Sequence, residues 1–285
     1  MKRWVVIANC QAFGIANSIR SLAKDVECGP YDLWAYMARI REEPEYFREN
    51  YDFAIISDEA PQWHPFSAEQ MPPHIVIPNL VFSAFHPDCC YVHVNGRPLE
   101  GVVGPYQSLI AVAAYYEKVP PDKSTLFFND RVFEQAGYFD LWEAQRKRLV
   151  SDFGKSGIEI GSALRRLSHG RSFMFTINHP KIDLLFEISK AILQARGERM
   201  HEGSWPPPET LAATQWPIYP QVGQRLGLQG GYAFKPANEH KPIDLDAFLA
   251  LSHSAFSAWD ASHFVVDTEI RPRLEQVRTM MREWL

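Results

Sequence analysis

Short, β-branched apolar runs alternate with polar turns in the first part of the chain. This pattern is typical of buried strands in an α/β protein. Apolar residues recur with helical spacing after Gly14, and a second helical stretch is broken at Pro44. The predicted strands are residues 2–8, 51–57 and 74–77, and the helix broken at Pro44 covers residues 36–50.

Polar residues follow the predicted strands directly, beginning with Asn9 after the first one. Parallel strands joined by crossover helices end at one edge of their sheet, where open α/β sheets bind ligands. We therefore expect the loops after Ala8, Ile56 and Ile77 to lie together at that edge.

The rest of the chain has mainly helical periodicity. It predicts helices at residues 106–118, 125–135, 138–153, 160–167, 183–196, 244–259 and 270–285, and one more buried strand at residues 172–177. Residues 202–231, rich in Pro, Gly and aromatics, predict an irregular, lid-like segment. The predicted fold class is α/β, with a small, mostly parallel sheet, crossover helices and a largely helical C-terminal half. We expect a single α/β domain over residues 1–285, with a soft sub-boundary near 104–120.

Composition narrows the classes of function. The chain has 285 residues, 46% hydrophobic and 22% charged, which excludes global disorder. A net charge of −5 argues against a nucleic-acid partner. No apolar run approaches the ~20 residues of a membrane helix, so stable membrane insertion is not expected. The four cysteines match neither a disulfide framework nor a zinc pattern, which predicts a cytoplasmic protein without a metal.

The first candidate for chemistry is the turn Asn9-Cys10-Gln11. The amides and dipole of a helix amino terminus favour a thiolate or a bound anion at Cys10. Asn9 and Gln11 are suited to donate hydrogen bonds to a carbonyl or an oxyanion beside it. The alternative is that Cys10 is a small buried residue, as free cysteines usually are.

Two further polar stretches contain histidine. In His86-Pro87-Asp88 the proline stiffens the turn, and Asp88 would orient His86 as a base if the two are in contact. Asn178-His179 follows the predicted strand 172–177. If these stretches converge on Cys10, they supply a thiol and two candidate bases. The alternatives are a surface turn for the first stretch and a helix entry for the second.

Basic residues are concentrated between residues 146 and 171, in an otherwise acidic chain. Such a patch suits a phosphorylated small ligand, although for most of its residues a solvated helix face is the stronger interpretation. The patch contains Arg146, Lys147, Arg148, Lys155, Arg165, Arg166 and Arg171, against Asp152 and Glu159.

Common catalytic motifs are missing from the sequence. There is no GxxxxGK[ST] phosphate loop, no GxGxxG after the first strand, no GxSxG elbow and no HExxH. These absences disfavour P-loop enzymes, standard dinucleotide folds, α/β-hydrolases of the usual type and zinc proteases.

Taken together, the motifs resemble the WcbI-like family of polysaccharide-biosynthesis proteins, acetyltransferases of bacterial capsule pathways. The resemblance covers about residues 2–190, with alanine at position 8 where the family pattern has glycine. The motifs that carry it are VVIANCQAFGIA, IPNLVFSAFHPD, GPYQSLIAVAAYY, GYFDLW and FTINHP, in this order.

The resemblance implies transfer of an acetyl group from acetyl-coenzyme A to a sugar hydroxyl of a surface polysaccharide. It is also compatible with a homo-oligomer. It marks Cys10, His86, Asp88 and His179 as catalytic. The residues expected to bind the coenzyme are Asn9, Gln11 and Asn178, with Arg146, Lys147 and Arg165 from the basic patch.

Two routes and two rival functions stay open at this level. The acceptor attacks the thioester directly, with His86 or His179 as base, or the acyl group passes first through Cys10. We favour direct transfer because a thiol-to-thiol step gains little energy. The rivals are an esterase of the Ser-Gly-Asn-His kind and a non-catalytic protein that binds glycans or nucleotides.

Overall fold

The computed structural model describes residues 1–237 and 239–284, and the chain divides into two compact units. Unit 1 comprises Met1–Val81, Arg146–Met174 and Asn178–Ala212. Unit 2 comprises Phe82–Gln145, Phe175–Ile177 and Ala213–Leu285. The predicted single domain with a sub-boundary near 104–120 stays a prediction.

The strands and helices follow one another in mixed order along the chain. The strands are β1 (Lys2–Ile7), β2 (Val26–Tyr31), β3 (Phe53–Ser57), β4 (His74–Ile77), β5 (Cys89–Val94), β6 (Arg97–Pro98), β7 (Tyr106–Ser108) and β8 (Val265–Val266). The helices are α1 (Ala12–Leu22), α2 (Leu33–Glu42), α3 (Tyr46–Asn50), α4 (Ala60–Trp63), α5 (Leu109–Tyr116), α6 (Pro121–Ser124), α7 (Asp130–Gln135), α8 (Leu141–Lys155), α9 (Gly161–Leu167), α10 (Ile182–Ala195), α11 (Pro220–Leu226), α12 (Leu245–Phe256) and α13 (Arg271–Trp284).

Unit 1 contains a four-stranded sheet in the order β2-β1-β3-β4. All three pairings are parallel, which confirms the predicted α/β class and the predicted strands. Val5, Val6 and Ile7 of β1 are fully buried, as are their neighbours in β3. A strand covered on both faces needs an unbroken apolar run, and this is why the sequence predicted β1 and β3.

The edge strand β2 was not predicted. Its sequence, VECGPY, contains Gly29 and Pro30, which are unfavourable in a strand interior. Pro30 is accommodated because, within the described part of the chain, β2 pairs with β1 alone and its other side has no ladder to interrupt.

Helix α1 packs closely on α10 within unit 1. A Cβ at Gly14 would collide with the Cδ1 atom of Leu185 in α10. The Ser189 hydroxyl of α10 donates to the Ile15 carbonyl at 3.4 Å. The small residue Gly14 therefore lets the helix after the first strand lie against α10.

Unit 2 combines a small antiparallel sheet with most of the helical half. Strand β5 pairs with β6, β7 and β8. The predicted helix at 106–118 therefore begins with the strand β7 and becomes helical only at Leu109. The Ser108 side chain accepts from the Ala111 amide and caps α5, which explains why the helix starts there.

The strand predicted at residues 172–177 is wrong, because this segment forms bends and one isolated bridge. Within unit 2 its carbonyl groups accept from amides of irregular segments: Ile177 from Phe82 at 2.7 Å, and Phe175 from Trp216 at 2.8 Å. The apolar run is buried, as predicted, but among the described residues it pairs with no neighbouring strand and therefore belongs to no sheet.

The helix predicted at 125–135 is divided into a 3-10 turn at Thr125–Phe127 and α7, whereas the other predicted helices agree with the structure to within three residues. Pro44 separates α2 from α3, as predicted. Residues 202–219 lie outside helices and strands, whereas α11 occupies part of the predicted irregular segment. The last residue of the helix predicted at 270–285, Leu285, lies outside the described residues. Within residues 1–237 and 239–284, no helix is both long and apolar enough to cross a membrane.

Candidate active site

Polar residues cluster at the carboxyl edge of the parallel sheet in unit 1. Asn9 follows β1, Asp58 and Glu59 follow β3, and Asn79 follows β4. Because β1, β3 and β4 are parallel neighbours, these residues leave the sheet at the same edge. The predicted convergence of the three loops is confirmed.

Asn9 joins these loops through its side-chain amide. Its Nδ2 donates to Glu59 Oε2 at 3.0 Å and to Asn79 Oδ1 at 2.6 Å. Its Oδ1 accepts from the Gln11 amide at 3.0 Å. The Asn79 amide in turn donates to Asp58 Oδ1 at 2.8 Å. Both amide hydrogens of Asn9 already have acceptors, so Asn9 holds the turn in place.

Gln11 is buried and connects the same turn to two other segments of unit 1. Its Nε2 donates to the Leu80 carbonyl at 2.9 Å and to the Asn178 carbonyl at 3.0 Å, and also approaches Asn79 Oδ1 at 3.2 Å. The structure thus brings Asn9, Gln11 and Asn178 together. The contact of Asn178 with the turn is made by its backbone.

Cys10 lies between these two anchors, just before α1, and is half-buried. Its Sγ donates to Asn9 Oδ1 at 3.9 Å. Burial, reinforced by the negative charge of Glu59, raises the pKa of the thiol to about 11, although the Cys10 backbone amide opposes the shift. Cys10 is therefore a neutral thiol at neutral pH.

Cys10 opens onto a cavity of about 580 Å³ in unit 1, which we call the Cys10 cleft. Its walls are unusually apolar for a surface, since Phe13 is 45% exposed and Trp34 is 69% exposed. Trp34 also meets Trp63 edge to face, with ring centroids 4.8 Å apart. The lining consists of Asn9, Cys10, Phe13, Asn17, Asp32, Leu33, Trp34, Thr210 and Leu211.

The predicted histidines are placed in different units. His179 belongs to unit 1, as Cys10 does, and follows Asn178, whose carbonyl binds Gln11. Burial lowers the pKa of His179 to about 4, so its imidazole is neutral at physiological pH. His86 belongs to unit 2, and its Nδ1 lies 3.2 Å from the Pro217 carbonyl. Among the described residues, neither histidine lines the Cys10 cleft.

Asp88 is fully buried in unit 2. Its Oδ1 accepts from the Tyr138 hydroxyl at 2.8 Å and the Ile110 amide at 3.0 Å, and its Oδ2 accepts from the Tyr219 hydroxyl at 2.8 Å. Burial raises the pKa of the carboxyl, and these donors together with Ser108 oppose the rise. The structure shows a packing role for Asp88, and its predicted role beside His86 stays a prediction.

The basic patch is partly neutralised by ion pairs within unit 1. Among the residues that the structure describes, exposed Lys147 and Arg165 have no ion pair, while Arg146 is half-buried. The pairs are Arg148–Asp152 at 3.7 Å, Lys155–Asp152 at 2.6 Å, Arg166–Glu187 at 2.6 Å and Arg171–Asp183 at 3.1 Å.

Sequence reasoning missed Glu59 and Asn79 as partners of Asn9. Both follow predicted strands, so the same edge argument that selected Asn9 could have selected them. It also missed Phe13 and Trp34, because an aromatic residue on a helix gives no sign in the sequence that it faces a cleft. In the described parts of the chain, no group of three or more His, Cys, Asp or Glu side chains is arranged to hold a metal ion.

Comparison with known proteins adds two findings. A family model described as polysaccharide biosynthesis enzyme WcbI matches residues 3–200. A solved structure of WcbI, called a novel polysaccharide biosynthesis enzyme, superposes with a TM-score of 0.69 at 14% identity, covering 99% of this chain and 96% of that one. That structure is the native protein without a disulfide bond between coenzyme A and one of its cysteines. At this identity the likeness shows a shared fold. No curated protein matches the chain.

Proposed function

This chain belongs to the WcbI family of polysaccharide biosynthesis enzymes, and from that premise we propose that it is a coenzyme A-dependent O-acyltransferase. Its acyl donor is acetyl-coenzyme A, its acceptor is a saccharide hydroxyl, and it acts in the cytoplasm. The observation that carries the proposal is the position of Cys10, held between two locked amide side chains and open to an apolar-walled cleft.

The Cys10 cleft suits the pantetheine end of coenzyme A. Its volume of about 580 Å³ lies within the usual range for small-molecule sites. Phe13, Leu33, Trp34 and Leu211 offer apolar contact to a slender chain, and Asn17 and Thr210 offer polar groups. The WcbI structure supports this assignment, since it is the native protein without a disulfide bond between coenzyme A and a cysteine of that protein.

The phosphates of the coenzyme need cations, and the cleft lining itself supplies none among the described residues. We assign this role to Lys147 and Arg165, with Arg146 beside them. Lys147 and Arg165 are the more suitable, because an arginine already bound to a carboxylate must break that pair before it binds a phosphate.

The neutral thiol of Cys10 favours direct transfer over an acyl-cysteine route. A thiol is a far weaker nucleophile than its thiolate, and a pKa of about 11 leaves little thiolate at neutral pH. In direct transfer, bound acetyl-coenzyme A supplies an acyl group activated by its thioester. Cys10 then lines the reaction site and excludes water.

Backbone amides, rather than side chains, supply the stabilisation of the oxyanion. The side-chain amide hydrogens of Asn9 and Gln11 already donate to acceptors within the protein. Among the described residues, the Ala12 amide donates to the Asn9 carbonyl at 3.0 Å, whereas the Phe13 and Gly14 amides have no acceptor and stand at the positive end of the helix dipole. One such donor is typically worth a few kcal/mol to the transition state. Asn9 and Gln11 contribute by fixing this turn.

His179 is the base that we assign to the acceptor hydroxyl. It belongs to the same unit as Cys10, and its neighbour Asn178 is bound to Gln11. Its pKa of about 4 keeps a nitrogen lone pair available throughout the physiological range. His179 would take the hydroxyl proton as the new C–O bond forms and the thioester C–S bond breaks, and would return that proton to the departing thiolate of coenzyme A.

The test is acetyl transfer from acetyl-coenzyme A to a panel of neutral and acidic p-nitrophenyl glycosides, followed by mass spectrometry. We expect at least one acceptor to gain an acetyl group. Cys10→Ala should retain part of the activity, and Cys28→Ala, which changes a buried cysteine in β2, serves as the matched control. No acetyl group should be found on Cys10 after acid quenching.

Other outcomes separate the alternatives. An acetylated Cys10 together with an inactive Cys10→Ala variant would establish the covalent route. Release of acetate from an aryl ester without coenzyme A would establish an esterase. A panel that yields no acetylated glycoside, with a protein that does not bind coenzyme A, would refute the proposal.

A further inference from the structure

A second cavity, of about 610 Å³, lies wholly within unit 2. We call it the Trp259 cleft. Its lining includes the turn and outgoing strand of the β5–β6 hairpin, namely Asn95, Arg97 and Pro98, together with Glu100 and Trp259. The proposed acyl transfer uses none of these residues.

The hairpin that builds this cleft is firmly held. Asn95 and Gly96 both have positive φ, 52° and 75°, as a tight two-residue hairpin turn requires. After the turn, the Leu99 amide donates to the Val92 carbonyl at 2.7 Å. The Leu99 carbonyl accepts from Nε2 of the buried Gln107 at 2.8 Å. The side chains carried by the hairpin therefore project from a fixed backbone.

Trp259 forms the aromatic wall of the cleft. Its backbone is anchored at both ends, since its amide donates to the Phe256 carbonyl and its carbonyl accepts from the Tyr115 hydroxyl, both at 2.9 Å. Its side chain is nevertheless 38% exposed. A large ring on a fixed backbone offers contact area at a low cost in entropy.

Three planar polar side chains line the same cleft as this ring. Asn95, Arg97 and Glu100 form no side-chain hydrogen bond or ion pair with any part of the chain that the structure describes. Together they offer amide, guanidinium and carboxylate groups, which include both donors and acceptors. Their hydrogen-bonding capacity is available to a ligand.

We propose that the Trp259 cleft is a second saccharide-binding site, for a neutral oligosaccharide. A pyranose ring has an apolar C–H face that packs on an aromatic ring, and a rim of hydroxyls that both donate and accept. Arg97 and Glu100 have opposite charges, so an anionic ligand would meet Glu100 and a cationic ligand would meet Arg97. A neutral polyhydroxyl ligand uses both groups without repulsion.

The experiment is saturation-transfer NMR and calorimetric titration of the full chain, without coenzyme A. The probes are maltotetraose, cellotetraose, mannotetraose and tetragalacturonic acid. At least one neutral tetrasaccharide should bind, and more tightly than the galacturonic acid. Because no coenzyme is present, the outcome does not depend on the proposed acyl transfer.

Variants locate the binding. Trp259→Ala should weaken it by about tenfold or more, and Trp259→Phe should recover part of the loss. Arg97→Ala and Glu100→Gln, both at exposed positions, should also weaken it and provide the test if Trp259→Ala fails to fold. Trp205→Ala, at an 82% exposed tryptophan in unit 1, should bind as the wild type does.

Three results would overturn the inference. These are no binding by any neutral probe, preferential binding of tetragalacturonic acid, or binding that the Trp259, Arg97 and Glu100 variants leave unchanged.

Discussion

Three consecutive side chains at the end of the first strand have different roles. Asn9 and Gln11 are fixed by hydrogen bonds to Glu59, Asn79 and neighbouring carbonyls, while Cys10 faces the cleft. The sequence predicted that this turn is special because polar residues followed a buried strand. It could not predict that the amide hydrogens of Asn9 and Gln11 are already used, since their acceptors come from residues far away in the chain.

His179 gives a prediction on pH at the residue scale. Its pKa is about 4 in the folded protein and near 6.5 when unfolded. Between these values the unfolded chain binds a proton that the native protein does not, so this residue lowers stability as pH falls from 6.5 to 4. The loss approaches about 3 kcal/mol at the lower end.

Urea unfolding at pH 7 and pH 4.5 checks this prediction. The fall in the free energy of unfolding should be smaller for His179→Gln than for the wild type. His169→Gln, at an exposed position, is the matched control and should behave as the wild type does. Equal acid sensitivity of His179→Gln and the wild type would show that His179 is not buried in neutral form.

At the scale of elements, unbroken apolar runs identified β1 and β3, which are buried on both faces, and also the short strand β4, of which only Ile77 is buried. They did not identify β2, which contains Gly29 and Pro30. The error at residues 172–177 has the opposite cause. The run is apolar because it is buried, but burial alone does not make a strand when the partners of its carbonyl groups lie in irregular segments.

Helix α11 depends on a close approach that only glycine permits. A Cβ at Gly230 would lie 2.5 Å from Pro220 Cα and 2.7 Å from Pro220 N, both backbone atoms. Gly230→Ala should therefore destabilise the protein by about 1–3 kcal/mol, as other overpacked sites do. Gly231→Ala is the control, because a Cβ there has no neighbour within 4 Å. Equal urea midpoints for the two variants would contradict this packing.

The basic patch at residues 146–171 gives a prediction on coenzyme binding. Lys147→Ala and Arg165→Ala should each weaken the binding of coenzyme A several-fold, and the loss should shrink at high salt. Arg166→Ala, which removes an arginine already paired with Glu187, should have a smaller effect. Titration of all three variants with coenzyme A and with 3′-dephospho-coenzyme A measures this. Equal losses in the three variants would remove the basis for choosing Lys147 and Arg165.

At the scale of the whole molecule, the chain alternates between its two units through three segments each. The predicted fold class is confirmed, because the parallel strands of unit 1 carried unbroken apolar runs and the helices of both units carried helical periodicity. Each cleft is built within one unit: the Cys10 cleft in unit 1 and the Trp259 cleft in unit 2. Variants in one cleft therefore test that cleft by itself.

The central claim is that the Cys10 cleft binds the acyl-donor coenzyme, and calorimetric titration with coenzyme A tests it most directly. Asn17 lines this cleft from α1. Asn17→Trp removes the side-chain amide and fills the cleft with an indole ring, whereas Asn17→Ala removes the amide and leaves the cleft open. We predict micromolar binding to the wild type and to Asn17→Ala, and none to Asn17→Trp. Wild-type affinity in a correctly folded Asn17→Trp variant, or no binding to the wild type, would contradict the claim.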